Sequence, residues 1–173
     1  MHPVATVRVV AADGTSTADY NVTFVDTSAP TATLVLAPSS ADGTNGWYRS
    51  APTVSVVAQD AVDPTPTVQY RLNGGAWTDY TGPFTVGDGT TRIDARATDA
   101  SQNQSAVVAT TVKVDTVAPT VTASLLGRTV TLTGKDTHLA TVAYSIDGGA
   151  WVTYTKAFVL PDTARTLKYR ATD

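Results

Sequence analysis

Apolar and polar residues alternate along much of the chain with a period of two. Residues 68–72, 93–97 and 142–146 each place apolar side chains at every second position. In a β-strand this period sends successive side chains to opposite faces, so one face can be buried while the other is wet. The Gly-Gly pairs at 74–75 and 148–149 and the Gly-Asp-Gly at 87–89 supply the positive φ that tight turns require. The pattern therefore predicts an all-β chain.

The sequence also repeats itself. VDTSAPT at 25–31 recurs as VDTVAPT at 114–120, YRLNGGAW at 70–77 recurs as YSIDGGAW at 144–151, and RATD at 96–99 recurs at 170–173. The segment between the first two blocks is 15 residues shorter in the second copy. In the first copy this segment contains Asn45-Gly46-Trp47-Tyr48. Three blocks in the same order indicate an internal structural repeat.

Short strands with turn signals about every ten residues favour tandem immunoglobulin-like (fibronectin III-like) β-sandwiches of about seven strands each. We expect the first repeat at 26–115, and a second, shortened repeat that lacks its last strand at 116–173. Residues 1–25 read as the C-terminal hairpin of an upstream sandwich, because they precede Asp26 as two predicted strands precede Asp115. We also expect this hairpin to pack on a sandwich, either in its own chain or in another copy, with the edge of the strand at 165–172 as the preferred place.

Composition restricts the function. The chain has no Cys, so disulfides and thiolate metal sites are excluded. All 15 acidic residues are Asp, and 32 residues are Thr, a composition that disfavours helices. A net charge of −3 argues against a nucleic-acid partner. No apolar run approaches the roughly 20 residues of a membrane span.

Several blocks resemble bacterial immunoglobulin-like repeats, most closely those of the OmpL47-like type. They are DTSAPTATL, NGWYRSAPTVSVVAQD, YRLNGGAWTDYTGPFTVGDGTTRIDARATDASQNQS and YSIDGGAWVTYTKAFVLPDTARTLKYRATD, which together span most of residues 26–173. The resemblance implies accessory modules of a large secreted or cell-surface bacterial protein, in some cases a carbohydrate-active enzyme. It implies no catalytic residues.

Enzymatic chemistry finds no support in the sequence. His138 could act as a base, but no Gly-x-Ser-x-Gly elbow, P-loop or Gly-x-Gly-x-x-Gly is present. His138 is more simply a polar residue of the shortened connection after Asp136. We therefore assign no catalytic residue, no metal ligand and no cofactor, and expect that the fragment is not an enzyme.

Glycan binding is the alternative function. Sugars stack on exposed aromatic rings, and the best candidates are Trp47 and Tyr48, which occur in one copy only. Four further aromatic residues recur beside the Gly-Gly turns of both copies, where packing explains them equally well: Trp77, Tyr80, Trp151 and Tyr154.

Calcium binding is a further possibility. The strand order brings Asp26, Asp60 and Asp99 to one end of the first sandwich, and gathers three other carboxylates at the junction with the second: Asp115, Asp136 and Asp173. Carboxylates are preferred Ca²⁺ ligands. Asp also ends strands by accepting hydrogen bonds from nearby backbone amides, which needs no metal.

The favoured hypothesis is a non-catalytic spacer, a short stiff rod whose Asp-Thr-x-Ala-Pro linkers restrict the angle between sandwiches. Its partners would be the neighbouring modules of the same polypeptide and, in the alternative, a polysaccharide on which a glycoside hydrolase docks. We expect the protein to be secreted or at the cell surface.

Overall fold

The computed structural model describes residues 4–173, and in that range the chain is all-β. No α-helix occurs among these residues, and one 3₁₀ turn lies at Thr44–Gly46. The predicted all-β class, with several sheets as in immunoglobulin-like sandwiches, is confirmed. No helix formed by residues 4–173 is long and apolar enough to cross a membrane.

Two strands precede the first repeat and form a hairpin, β1 (Val4–Val10) and β2 (Thr17–Thr23). Seven strands follow in the first repeat: β3 (Thr31–Ala37), β4 (Trp47–Tyr48), β5 (Thr53–Gln59), β6 (Thr67–Leu72), β7 (Thr78–Asp79), β8 (Gly89–Thr98) and β9 (Val108–Val114). The second repeat has six: β10 (Thr120–Leu126), β11 (Thr129–Lys135), β12 (Thr141–Ile146), β13 (Val152–Thr153), β14 (Phe158–Val159) and β15 (Leu167–Thr172).

The strands of each repeat are divided between two sheets. In the first repeat β3 pairs with β5, and the other sheet has the order β4-β9-β8-β6-β7. Phe84 is bridged to Val54 and so extends the β3-β5 sheet. In the second repeat the sheets are β10-β11-β14 and β13-β12-β15. Equivalent strands therefore have equivalent neighbours in the two copies, except that β15 has no neighbour within residues 4–173 that corresponds to β9.

Two compact units make up the chain. One comprises residues up to Val35 with Val54–Phe84 and Arg92–Thr110, and the other comprises Leu36–Thr53, Thr85–Thr91 and the chain from Thr111 onward. Fully buried side chains in the first include Val54, Ile93, Ala95 and Ala97; in the second they include Val112, Val114 and Val130. The module limits predicted from the sequence repeat, at residues 25 and 115, stay a prediction.

The hairpin of β1 and β2 is not packed on a sandwich. Its strands pair with each other in register from Val4 opposite Thr23 to Val10 opposite Thr17, and nearly all of its side chains are exposed. The expectation that it docks on a sandwich of its own chain is therefore wrong. Two local interactions hold the hairpin together. The Thr15 amide donates a hydrogen bond to Asp13 in the turn, and Arg8 pairs with Asp19, with 2.7 Å between Nε and Oδ1.

Candidate functional site

The first predicted carboxylate group exists as expected. Carboxylate oxygens of Asp26, Asp60 and Asp99 all lie within 4.8 Å of one another. The chain brings them together because Asp26 precedes β3, Asp60 follows β5 and Asp99 follows β8, three positions at the same end of the strands. A cleft of about 390 Å³ opens beside them, lined by residues that include Val25, Asp63 and Ala100.

Each of these carboxylates already accepts hydrogen bonds from its own turn. Asp60 Oδ1 accepts the amides of Val62 and Asp63, both at 2.8 Å, and these two bonds lower the pKa of Asp60 against the opposing effect of burial. Asp26 accepts the amide of Ser28 at 2.9 Å. Asp99, which is 3% exposed, accepts both the backbone amide and the side-chain amide of Asn103 at 2.7 Å. Turn capping therefore accounts for all three side chains.

The second predicted group has a different third member. Asp115 and Asp136 lie together, but His138 completes the group within 4.8 Å and Asp173 does not belong to it. The expectation that Asp173 joins Asp115 and Asp136 is wrong, because the His138 ring lies against the Asp115 carboxylate as the third member of the group. Asp136 accepts the amide of His138 at 2.7 Å, a turn that matches the one between Asp60 and Val62.

This turn aims the His138 ring at two groups. Its Nδ1 lies 2.6 Å from Oδ2 of Asp115, whose carboxylate is 8% exposed. The hydrogen bond from His138 lowers the pKa of Asp115, and it outweighs the burial of the carboxylate, which acts in the opposite direction. The face of the imidazole packs on the Trp47 indole, with ring centroids 3.5 Å apart and planes at 35°. An Asp–His pair is one part of many hydrolytic sites, and neither neighbour of His138 is a Ser, Thr or Cys that such a pair would activate.

The predicted glycan platform is not an open surface. Tyr48 is buried at 5% exposure, and its hydroxyl donates to the Pro38 carbonyl at 3.3 Å. Trp47 is half-buried against His138, and Lys113 Nζ lies 5.9 Å from the indole centroid. These two residues form β4, which pairs in parallel with the end of β9 and places Trp47 opposite Lys113.

The recurring aromatic residues make similar contacts in the two copies, with two arginines over Trp77 and one over Trp151. Arg71 and Arg96 both lie over the Trp77 ring, at 4.6 and 4.1 Å from its centroid, and Arg170 lies 4.2 Å from that of Trp151. Such guanidinium contacts are attractive and occupy the ring face. Three-ring clusters recur as well: Tyr70, Tyr80 and Phe84 in one repeat, and Tyr144, Tyr154 and Phe158 in the other.

The sequence pattern does not predict one buried charge, that of Asp94. Asp94 lies in the middle of β8 with a side chain that is 2% exposed, and it pairs with Arg71 at 2.9 Å and Arg92 at 2.8 Å. Burial by itself would raise its pKa, but the hydrogen bonds and charges of the two arginines outweigh burial and leave the pKa lowered. The alternation in residues 93–97 predicts that Asp94 lies on the solvent-facing side of the strand. The Asp94 side chain does point away from the apolar row, but Arg71 and Arg92 cover it.

Comparison with known proteins identifies no family for this chain. No protein-family model and no curated protein matches the chain. The resemblance to bacterial immunoglobulin-like repeats thus stays a prediction.

Proposed function

We propose that the chain is a set of non-catalytic immunoglobulin-like spacer modules of a large secreted or cell-surface bacterial protein, with a carbohydrate-active enzyme as one candidate parent. Its task is to hold other domains at a distance. The modules contact the preceding and following modules of the same polypeptide and need no cofactor. The all-β repeat and the satisfied turn carboxylates support this function.

The observation that carries the proposal is the contact among Trp47, Asp115 and His138. Trp47 belongs to the first repeat, Asp115 to the connection between the repeats, and His138 to the β11–β12 loop of the second. The Asp115 amide also donates to the Tyr48 carbonyl at 2.9 Å. The connection is therefore fixed by an aromatic contact, a charge-assisted hydrogen bond and a backbone bond, in addition to the restriction that Pro119 imposes. A spacer requires a connection of limited freedom.

Distance measurements between spin labels test this function. The chain has no Cys, so labels can be placed at the exposed Ser50 and Val159, which belong to different repeats and to the same compact unit as Trp47 and His138. We expect a narrow distance distribution for the otherwise unchanged chain, and a clearly broader one after Trp47→Ala, because the indole no longer holds His138.

Trp151→Ala is the matched control, since it removes an indole far along the second repeat from this contact. It should leave the width unchanged. A broad distribution in the unchanged chain, or equal widths for Trp47→Ala and the parent, would exclude the spacer function as proposed.

The glycan-binding alternative predicts a different result. Retardation of the chain in polysaccharide gels, reduced by Trp47→Ala, would favour it over the spacer. We expect no retardation, because Tyr48 is buried and Trp47 is covered on one face by His138.

A further inference from the structure

The hydrogen bond between His138 and Asp115 joins two groups that can each gain or lose a proton. The Asp115 side chain is 8% exposed and that of His138 is 28% exposed, with 2.6 Å between Oδ2 and Nδ1. Asp115 lies in the connection between the repeats and His138 in the β11–β12 loop, and both belong to one compact unit together with Trp47. A change in the protonation of either group therefore acts on the connection itself.

The turn that carries His138 does not require a histidine. In the first repeat Val62 stands at the equivalent position, and its amide donates to Asp60 at 2.8 Å as the His138 amide donates to Asp136 at 2.7 Å. The backbone of the turn forms in the same way with either side chain. The imidazole is thus an addition to this turn, and its role lies in what the ring contacts.

The charged groups nearest the ring are two carboxylates. Carboxylate oxygens of Asp115 and Asp136 lie within 4.8 Å of one of the imidazole nitrogens. On the far side of the stacked indole, the ammonium of Lys113 on β9 lies 5.9 Å from the Trp47 centroid. The adjoining segments carry these further charged residues: Arg49 after β4, paired with Asp42; Asp88, which accepts the Thr116 hydroxyl; Lys135 at the end of β11; and Asp173 after β15.

A protonated ring makes stronger contacts in this position than a neutral one. An imidazolium forms an ion pair with Asp115, and a charge-assisted hydrogen bond is roughly twice as strong as one between neutral groups. Its charge is also attracted to the face of the Trp47 indole, whose centroid lies 3.5 Å from that of the imidazole. A neutral ring retains the hydrogen bond and the packing, but it leaves the buried carboxylate without a counter-charge, which is costly.

The carboxylate keeps its charge well into acid. The hydrogen bond from His138 lowers the pKa of Asp115 below its ordinary value of 3.8, against the opposing effect of burial. Because the folded pKa is depressed, this contribution to stability is present above pH 3.8 and is lost as the pH falls below it. Histidine, in contrast, ordinarily changes its charge within about pH 5–8. Between neutral pH and mild acid, the imidazole is therefore the group whose charge changes in this contact.

We propose that the proton on His138 controls the stiffness of the connection between the repeats. With the proton bound, the ion pair to Asp115 and the charged contact with Trp47 hold the connection in a narrow range of positions. With the proton released, the weaker contacts of the neutral ring allow a wider range. This inference rests on the spacer function proposed above and adds to it a dependence on pH.

Spin-label distances between Ser50 and Val159 at about pH 5 and about pH 9 test the proposal, since these values bracket the ordinary titration of histidine. We expect a narrow distribution in acid and a broader one in base. His138→Val places at this turn the side chain that Val62 has in the first repeat, so the variant should fold. Its distribution should be broad at both values. His2→Ala is the matched control: it removes the other histidine of the chain and should retain the full dependence on pH.

A second variant removes the counter-charge and leaves the ring in place. Asp115→Asn keeps an oxygen that accepts a hydrogen bond from the imidazole but cannot form an ion pair, so the width should no longer depend on pH. A distribution that is narrow at both pH values in the unchanged chain would overturn this proposal and leave the spacer function intact. A broad distribution at both would overturn the two together. A dependence on pH that persists in His138→Val would assign it to another group and likewise exclude the proposal.

Discussion

Aspartate serves one purpose repeatedly in this chain: its carboxylate accepts the amides two or three residues later and so stabilises a turn between strands. Asp13, Asp26, Asp60, Asp63 and Asp136 all make such bonds. Asp suits the task because its short side chain reaches back to its own turn, and Glu, which is absent from the chain, does so less well. The acidic character of the protein therefore follows from its many turns.

The titration of Asp13 follows from this geometry. The hydroxyl of Ser16, at 2.6 Å, and the amides of Ser16 and Thr15 lower the pKa of Asp13 from 3.8 to about 2. Because the folded pKa is depressed, the turn is stabilised fully above pH 3.8 and loses this contribution as the pH falls toward 2. An NMR titration of the Asp13 carboxyl carbon should show a midpoint near 2.

Ser16→Ala should move this midpoint upward, because it removes the largest cause of the shift. Thr15→Ala is the control and should change it little, since the Thr15 side chain contributes least. An Asp13 midpoint that is ordinary in the unchanged chain would contradict the described turn.

Individual partners were harder to predict than turn positions. The sequence repeat placed Asp26, Asp60 and Asp99 together correctly, since strand order alone determines that geometry. It missed His138, although His138 stands two residues after Asp136 as Val62 stands after Asp60. Alignment of the two turns would have placed the His138 side chain beside Asp115. No pattern in the sequence, however, pairs Trp47 with His138, because their contact depends on how β4 meets a loop 91 residues away.

At the scale of elements, alternation identifies the buried face of a strand, and β5 provides a direct test. Val54 is fully buried and Val57 is 46% exposed on the same strand. Val54→Ala should lower the free energy of unfolding by roughly 2 kcal/mol, from lost apolar burial and the cavity left behind. Val57→Ala should change it by less than about 0.5 kcal/mol. Urea denaturation measures the free energy of unfolding of both variants. A similar loss of this free energy in the two would mean that β5 is placed in the wrong register.

Close packing against a glycine controls the β11–β12 loop. A Cβ at Gly134 would lie 2.5 Å from Cγ2 of Val142 and 2.9 Å from Cδ2 of Leu139. We expect Gly134→Ala to destabilise the protein by about 1–3 kcal/mol through overpacking, and to alter Trp47 fluorescence as the loop that carries His138 shifts. Gly82→Ala is the control, because no heavy atom lies within 4 Å of its added Cβ. Equal melting temperatures for the two variants would contradict this packing.

Most of the fold was predictable at this scale, and the exception is informative. The strands of both repeats follow from period-two alternation and turn residues, which act locally. The fate of the hairpin did not follow, because its local pattern specifies an amphipathic ribbon but not the surface that covers it. The buried pair of Asp94 with Arg71 and Arg92 was missed for the same reason: a charged residue on the polar face can still be covered by long side chains from neighbouring strands.

For the whole molecule, the two carboxylate groups lead to a prediction about metal. The first group has three carboxylates and the second has two together with His138, and their oxygens already accept hydrogen bonds from amides or from the His138 ring, whereas Ca²⁺ takes six to eight oxygen ligands. We therefore expect the melting temperature to be the same with calcium and with chelator. A rise with calcium that Asp60→Asn abolishes would contradict this and assign the ion to Asp26, Asp60 and Asp99.

The parallel pairing of β4 with β9 has a consequence for a chain under tension. Trp47 lies opposite Lys113 and Tyr48 opposite Val114, at the point where β9 leaves the first repeat. Force that pulls β9 toward its C-terminal end and β4 toward its N-terminal end loads both parallel strands in shear, so their hydrogen bonds bear the load together. In an antiparallel hairpin pulled at its open end, the inter-strand hydrogen bonds break one at a time. The second repeat lacks the residues that form β4, so in a chain under tension the second repeat should unfold before the first.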